Sequence, residues 1–210
     1  MEGLIASWYA RNTKGDGRHA LGAEALLRNL SPNARVLEVA PGPGYLAIAL
    51  AKGGARVSGL DISESFVRIA RENAQAEGVD VDFQRGNASQ MPYDAESFDF
   101  VVCQAAFKNF SDPVGALDEI HRVLAPGGSA SIVDLRKEAS LEEIDAEVAR
   151  MGMSALSAIW TRLTFRTFLL KNAYTEDALR ELVAKSRFGS GEVIRDGIAF
   201  DLRLRKPAFS

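Results

Sequence analysis

Between residues 35 and 135, five short runs of β-branched and aromatic residues alternate with longer stretches that carry apolar residues at helical spacing. Strands that alternate with helices of about 10–15 residues predict βαβ units and therefore a parallel sheet. Two of the runs contain FVV and IVDL, and such nearly continuous apolar sequence favours strands that are buried on both faces. The predicted strands are 35–40, 56–61, 81–86, 98–103 and 129–135. This alternation predicts an α/β fold and excludes an all-α or all-β one.

Helix boundaries between these strands are marked by capping residues. Ser63 has the position of an N-cap for a helix that runs to about Glu77, and Asp112-Pro113 combines an N-cap with a proline at the first helical position. After the fifth strand, Ser140 and Glu143 have the spacing of a capping box. They open a helical pattern that is rich in methionine and aromatic residues. Thr175 is predicted to cap one further helix.

The chain closes with two alternating runs, 189–196 and 198–206, which are joined at Asp196-Gly197 and are typical of a β-hairpin. We therefore predict a Rossmann-like seven-stranded sheet with an antiparallel C-terminal hairpin and a helical lid insertion. The whole chain, 1–210, is expected to form one domain, with an N-terminal helical lid (1–30), a ligand-binding core (35–135), a helical cover (140–186) and the hairpin (189–206).

Composition narrows the class of protein. The chain has 25 Lys and Arg against 28 Asp and Glu, and its net charge of −3 lacks the basic excess typical of nucleic-acid-binding proteins. One cysteine and two histidines exclude a disulfide framework and a cysteine- or histidine-rich metal cluster, so no metal site is predicted. The start, MEGLIASWYARN, lacks the features of a signal peptide, and no long apolar run occurs. We expect a cytoplasmic protein without nucleic-acid or membrane partners.

A glycine-rich turn between the first strand and the following helix predicts a ligand site. Gly42 and Gly44 allow a ligand to approach the backbone closely, and the helix N-terminus offers unpaired N–H groups. Asp61 ends the second strand 19 residues after Gly42, where a carboxylate can accept both hydroxyl groups of a ribose. This spacing fits a nicotinamide dinucleotide, so a nicotinamide-dependent oxidoreductase is one interpretation. A second interpretation is that the turn only connects a strand to a helix and binds no ligand.

Other residues favour a cationic ligand. Glu38 lies in the end of the first strand, where a carboxylate would repel a pyrophosphate but suits an ammonium or a sulfonium group. Asn87 and Ala88 follow the third strand, where a side-chain amide and a backbone N–H can both recognise an adenine edge. Cys103 and Gln104 end the fourth strand and bring polar groups to the other end of the ligand.

Four segments, in order and in spacing, resemble the successive motifs of class I S-adenosylmethionine-dependent methyltransferases, and the small-molecule branch with the ubiquinone and sterol methyltransferases is most similar. The segments are VLEVAPGPGYLAIALA, GLDIS, GNASQMPYDAESFDFVVCQAAF and LDEIHRVLAPGG. Together they cover about residues 30–135. The resemblance implies S-adenosylmethionine as cofactor and methyl transfer to a small-molecule acceptor by in-line displacement. A protein that binds the cofactor without turnover is the third interpretation.

The resemblance also implies cofactor-binding residues in the first two motifs. Glu38 matches the acidic residue of the first motif, and Gly42 and Gly44 match the glycines that let the methionine part pass closely. Asp61 matches the ribose carboxylate. Ala40 departs from the pattern, because it stands where the first motif usually has its first glycine, and its methyl group is expected to tighten the loop.

The remaining implied cofactor residues follow the second, third and fourth strands. Ile62, directly after the ribose carboxylate, belongs to this set. Ala88 matches the backbone contact to adenine, and Asn87 stands where the family usually has Asp, so that a neutral amide would meet the exocyclic amine. Cys103 and Gln104 match positions near the methyl-bearing sulfur.

Few polar residues are left for the acceptor. Methyl transfer mainly requires orientation and exclusion of water, and a base is needed only if the acceptor arrives protonated. Lys108, just after the fourth strand, is the candidate for holding an anionic acceptor, and an ordinary surface lysine is the alternative. Tyr9 is expected to fold over the cofactor. The segment 151–169, which includes Trp160 and Phe168, is expected to cover the acceptor or to pack as an ordinary helix.

The histidines and the end of the fifth strand supply the other candidates. His19 could act as a base that enters from the N-terminal segment, although a solvent-facing loop histidine is favoured. His121 is expected to lie away from the strand ends. Asn109, Asp134 and Arg136 are further candidates for contacts with the acceptor.

Overall fold

A seven-stranded sheet forms the centre of the computed structural model, which describes residues 2–3, 6–7, 10, 18–150 and 172–208. The strands are β1 (Arg35–Val39), β2 (Arg56–Asp61), β3 (Asp82–Arg85), β4 (Phe98–Gln104), β5 (Leu124–Leu135), β6 (Glu192–Asp196) and β7 (Ala199–Arg205). Their order is β3-β2-β1-β4-β5-β7-β6. Strands β1 to β5 are parallel, and β7 pairs antiparallel with both β5 and β6. The predicted fold class is confirmed.

Several strand boundaries differ from the predicted ones by one to three residues, and the start of β5 differs by more. β5 begins at Leu124, five residues earlier than predicted, because Leu124 pairs with Phe98 before the register shifts at the glycine pair. In the C-terminal hairpin, Asp196 pairs with Ala199, so the two turn residues are Gly197 and Ile198. The hairpin itself is as predicted.

Four of the described helices begin where the capping residues Ser63, Asp112, Ser140 and Thr175 predict. The described helices are α1 (Arg18–Leu27), α2 (Tyr45–Lys52), α3 (Glu64–Ala76), α4 (Pro113–Val123), α5 (Leu141–Arg150) and α6 (Glu176–Lys185), with a 3₁₀ turn at Phe107–Asn109. The side chains of Ser63, Asp112 and Thr175 accept hydrogen bonds from backbone N–H groups in the first turns of α3, α4 and α6. Ser140 and Glu143 form the reciprocal capping box that begins α5.

Helices cover both faces of the sheet. Apolar residues of α1, α2 and α3 pack with Val36 and Phe100 on one face, while α4 and α6 pack with Val101 and Ile132 on the other. The chain leaves β1 toward β2 and β3 and later returns on the other side of β1 with β4. In such a sheet, ligands bind in the crevice at the carboxyl ends of the strands where the order reverses, here β1 and β4.

Several predictions concern residues that lie outside the described part of the chain. Tyr9 is one, as are Trp160, Phe168 and the rest of the segment 151–171. Within the described residues, no helix has the length and hydropathy needed to span a bilayer.

Candidate active site

Two adjoining cavities lie at the carboxyl ends of β1, β2 and β4. The main cavity, of about 320 Å³, is lined by residues that include Glu38, Asp61 and Gln104. The side cavity, of about 100 Å³, includes Asn87 and Ala88. The two share Ala40, Ile62, Asn109 and Phe110 in their linings. The fold therefore brings most of the predicted cofactor residues to one continuous crevice.

The glycine turn forms the wall of the main cavity between β1 and α2. Gly42 and Gly44 have φ angles of 54° and 81°, in the left-handed region that favours glycine. A Cβ on Gly42 would meet nothing within 4 Å, whereas a Cβ on Gly44 would lie 2.7 Å from the ring of Phe83. The same ring leaves no room for a side chain at Gly59 on β2. Gly42 therefore presents bare backbone to the main cavity, whereas Gly44 is not among the described residues that line either cavity and packs against the core.

Ala40 keeps a left-handed backbone without being glycine. Its φ angle is 57°, and its N–H donates to the carbonyl of Leu60 at 2.7 Å. An L-residue with a Cβ pays about 1–2 kcal/mol for this conformation. The position therefore has the backbone geometry of the glycine that the sequence lacks, and Ala40 lines both cavities.

Glu38 is a buried carboxylate with an unsatisfied oxygen. The residue is 4% exposed, and its Oε2 has no hydrogen-bond partner in the described part of the chain. Burial raises the pKa of Glu38 to about 8, the charge of Asp61 adds to this effect, and the backbone N–H of Ala47 opposes it. A buried acceptor of this kind is costly unless a donor reaches it. A cationic group in the cavity would be such a donor.

Asp61 is held at the end of β2 by two backbone groups. The N–H of Gly42 donates to Oδ2 at 3.1 Å, and the N–H of Ser63 donates to Oδ1 at 2.8 Å. Burial raises the pKa of Asp61, and these two hydrogen bonds oppose the shift. Each carboxylate oxygen keeps further capacity as an acceptor, so the group can receive a pair of hydroxyl donors.

The side cavity has the features of a site for a flat ring. Ile62 is 66% exposed, which is unusual for a large apolar residue, and it lines both cavities beside Asp61. Asn87 accepts a hydrogen bond from the N–H of Ser89 through its Oδ1, which fixes the orientation of its amide. Phe110 is an aromatic residue that lines both cavities. It was not selected from the sequence, because its position depends on the fold of the loop after β4.

Cys103 and Gln104 end β4 with different surroundings. Gln104 lines the main cavity. Cys103 is fully buried in the core, and burial raises the pKa of its thiol, with the charges of Asp134 and Glu38 contributing further. Adjacent residues of a strand face opposite sides of the sheet, so only one of the two side chains can point toward a given face.

Lys108 is engaged in a buried ion pair. Its Nζ donates to Oδ1 of Asp134 at 2.6 Å and to the carbonyl of Ala105 at 2.9 Å, and its backbone N–H donates to the other oxygen of Asp134. The two side chains are 8% and 0% exposed. Lys108 is not among the described residues that line either cavity. The structure thus gives this candidate a structural partner that the sequence did not reveal.

The remaining candidates differ in whether they line the main cavity. Arg136 donates to the carbonyl of Gly197 and pairs with Glu143. His121 packs against the ring of Phe188 at 5.0 Å, on the α4 side of the sheet. His19 and Asn109 line the main cavity.

Tyr45, which sequence reasoning did not select, also lines the main cavity. Its ring centroid lies 5.6 Å from that of His19, and its hydroxyl donates to the carbonyl of Ala10 at 2.8 Å. The sequence contains one signal for this position, because Tyr45 directly follows the glycine turn and is the first residue of α2.

Comparison with known proteins adds three findings. Residues 37–132 match a family model described as a methyltransferase domain. Demethylmenaquinone methyltransferase from Deinococcus radiodurans is 39% identical over 125 residues, which are 59% of this chain and 51% of that protein. The enzyme of the same name from Chlorobaculum tepidum is 30% identical over 154 residues, 72% of this chain and 62% of that protein. This chain therefore spans about half to two thirds of the length of these relatives.

A solved structure shares the fold. It is that of an S-adenosylmethionine-dependent methyltransferase from Aquifex aeolicus, with a TM-score of 0.72 and 20% identity, and the match covers 94% of this chain and 96% of that one.

Proposed function

Residues 37–132 belong to the methyltransferase-domain family, and on this premise we propose that the chain transfers the methyl group of S-adenosylmethionine to a small-molecule acceptor. The observation that carries the proposal is the buried carboxyl group of Glu38, which has an unsatisfied oxygen and belongs, like Asp61, to a residue that lines the main cavity. Two carboxyl groups in the lining of one cavity favour a cationic ligand. S-adenosylmethionine carries both an ammonium and a sulfonium group.

The residues present fit this cofactor part by part. Glu38 would attract the cationic methionine end, and the bare backbone at Gly42 leaves room for it to pass. Asp61 would accept the two ribose hydroxyls. Ile62 and Asn87 would hold the adenine in the side cavity, with the apolar side chain against a ring face and the amide at an edge.

When bound, the cofactor supplies an electrophilic methyl group that needs no further activation. The protein has to hold an acceptor in line with that methyl group and to exclude water. Leu46, Phe66 and Phe110 provide apolar walls in the main cavity, while Gln104 and Asn109 provide amides that can orient a hydroxyl or carbonyl group.

We propose a phenolic or quinol-type aromatic as the acceptor class. Two relatives are named for methylation of demethylmenaquinone, and a flat ring with polar oxygens suits a cavity with aromatic walls and two amides. The net charge of −3 gives no support to a nucleic-acid acceptor.

The oxidoreductase interpretation is disfavoured by the same carboxylate. A dinucleotide pyrophosphate would bring two negative charges toward Asp61 and would oppose ionisation of Glu38, and among the described residues that line the two cavities only His19 is basic. A chain that binds the cofactor without turnover remains an outcome that experiment distinguishes.

The test combines binding with turnover. Calorimetry with S-adenosylhomocysteine and with NADH should show binding of the first and none of the second. Methyl-labelled S-adenosylmethionine should then label at least one member of a panel of phenols and naphthoquinols. Failure to bind S-adenosylhomocysteine would refute the proposal, and binding without labelling of any acceptor would leave a cofactor-binding protein in its place.

A further inference from the structure

His19 lies at the start of α1, in the lining of the main cavity. Its ring contacts Tyr45, the first residue of α2, at a centroid distance of 5.6 Å and an interplanar angle of 47°. The contact ties the imidazole to the helix that begins at the glycine turn. We propose that His19 is the catalytic base that accepts the acceptor's hydroxyl proton during methyl transfer, an inference that rests on the proposed function.

The other titratable groups of the main cavity have different tasks. Glu38 and Asp61 face the cavity from β1 and β2 and are assigned to the cofactor. Tyr45 faces it from α2 and already donates its hydroxyl hydrogen to the carbonyl of Ala10. Lys108, the candidate from the sequence, is paired with Asp134.

Histidine is chemically suited to this position. A phenol or quinol is a weak nucleophile until its proton leaves, and imidazole takes up and releases a proton near neutral pH. The carboxylate of Asp61 belongs to the same cavity lining, and its negative charge favours the imidazolium that forms. The sequence had favoured a solvent-facing histidine, because nothing in the sequence indicates that the start of α1 faces the strand ends.

The proposed step balances as follows for transfer to oxygen. The acceptor oxygen forms its bond to the methyl carbon while the carbon–sulfur bond breaks with its electron pair on sulfur. The hydroxyl proton moves to the imidazole of His19. The imidazolium then returns the proton to solvent after the product leaves.

A matched pair of variants tests this role. The chain has two histidines, so His19→Gln can be compared with His121→Gln, whose ring packs against Phe188 on the other side of the sheet. The assay uses methyl-labelled S-adenosylmethionine with 1,4-dihydroxynaphthalene in oxygen-free buffer. We expect His19→Gln to lower kcat about 100-fold and to lose the limb of the pH profile near neutrality. His121→Gln should stay within about twofold, and both variants should bind S-adenosylhomocysteine within about threefold of the parent chain.

Two kinetic outcomes overturn the inference. One is an unchanged pH profile and a kcat within about threefold of the parent in His19→Gln. The other is a loss of S-adenosylhomocysteine affinity as large as the loss of kcat, which would make His19 a cofactor-binding residue.

A second measurement decides the role of His19 if the parent chain labels no acceptor, which would refute the proposed function separately. The imidazole signals of His19 and His121 are followed by NMR in the S-adenosylhomocysteine complex, with His19→Gln giving the assignment. Addition of 1,4-dihydroxynaphthalene should move the titration midpoint of His19 and leave that of His121 in place. A His19 signal that does not respond would overturn the inference.

Discussion

Replacement of Glu38 by Gln should uncouple cofactor binding from proton release. With a pKa of about 8, Glu38 is ionised in only about a tenth of the ligand-free molecules at pH 7. A cation in the cavity requires the ionised form. Binding at pH 7 therefore has to remove the proton first, which costs about 1.4 kcal/mol, or a factor of about ten in affinity.

The expected result is a steep pH dependence. The affinity of the parent chain for S-adenosylhomocysteine, which retains the ammonium group, should rise about tenfold per pH unit up to about pH 8. Calorimetry at pH 7 in two buffers of different ionisation enthalpy should give a release of about 0.9 proton per site, since about that fraction starts protonated. Glu38→Gln should bind more weakly, with no proton release and little change between pH 6 and 8.

The same carboxylate should lower the stability of the ligand-free protein as pH rises. Its pKa is raised from 4.5, so between about pH 4.5 and 8 the folded chain keeps a proton that the unfolded chain has lost. The free energy of unfolding then falls with increasing pH across this window, by on the order of 3 kcal/mol at pH 7. Urea denaturation should show that Glu38→Gln removes this slope and is more stable than the parent at pH 8.

A single result would refute this reasoning. If the parent chain binds S-adenosylhomocysteine with the same affinity at pH 6 and 8 and exchanges no proton, binding does not change the ionisation of Glu38. The expected coupling between the buried carboxyl group and the ammonium group of the ligand would then be absent.

Three further changes test other parts of the site. Asp61→Ala should weaken S-adenosylhomocysteine binding at least tenfold, because two charge-assisted hydrogen bonds of about 1.5–3 kcal/mol each are lost; calorimetry with unchanged affinity would contradict the ribose assignment. Ala40→Gly should raise the free energy of unfolding by about 0.5–1 kcal/mol, because glycine adopts the left-handed φ without strain. Ala47→Gly in helix α2 should lower it by about the same amount, and equal effects at both positions would exclude the strain. Lys108→Met should destabilise the chain by about 3–5 kcal/mol, because it leaves Asp134 charged and buried. The double variant with Asp134→Asn should recover much of that loss, and a denaturation midpoint unaffected by Lys108→Met would show that the pair contributes nothing.

The sheet and many of the residues that line the crevice could be predicted because their signals are local. Apolar runs mark the strands, and the glycine turn marks the loop after β1. Ser63 and Asp112 mark the starts of two helices, because each side chain accepts a hydrogen bond from a backbone N–H group three residues later. The strand order alone places the end of β4, which includes Gln104, at this crevice. These features depend on neighbours in the sequence or on a fold that leaves few alternatives.

Features that depend on contacts between distant residues could not be predicted. Lys108 is separated by 26 residues from Asp134, and only the pairing of β4 with β5 brings them together. The protonation of Glu38 depends on how completely β1 is buried, and the place of His19 depends on how α1 packs on α2. None of these three features produces a repeating pattern of apolar residues that could be recognised in the sequence.

The ring of Phe83 restricts which substitutions the glycine turn can accept during evolution. It fills the space beside both Gly44 and Gly59, so a side chain at either glycine requires a smaller residue on β3. Phe83 alone cannot shrink without a cavity in the core, where it is 1% exposed. The three positions are therefore expected to change together or not at all, so that a loop variant selected for a different cofactor would need its compensating substitution on β3 first.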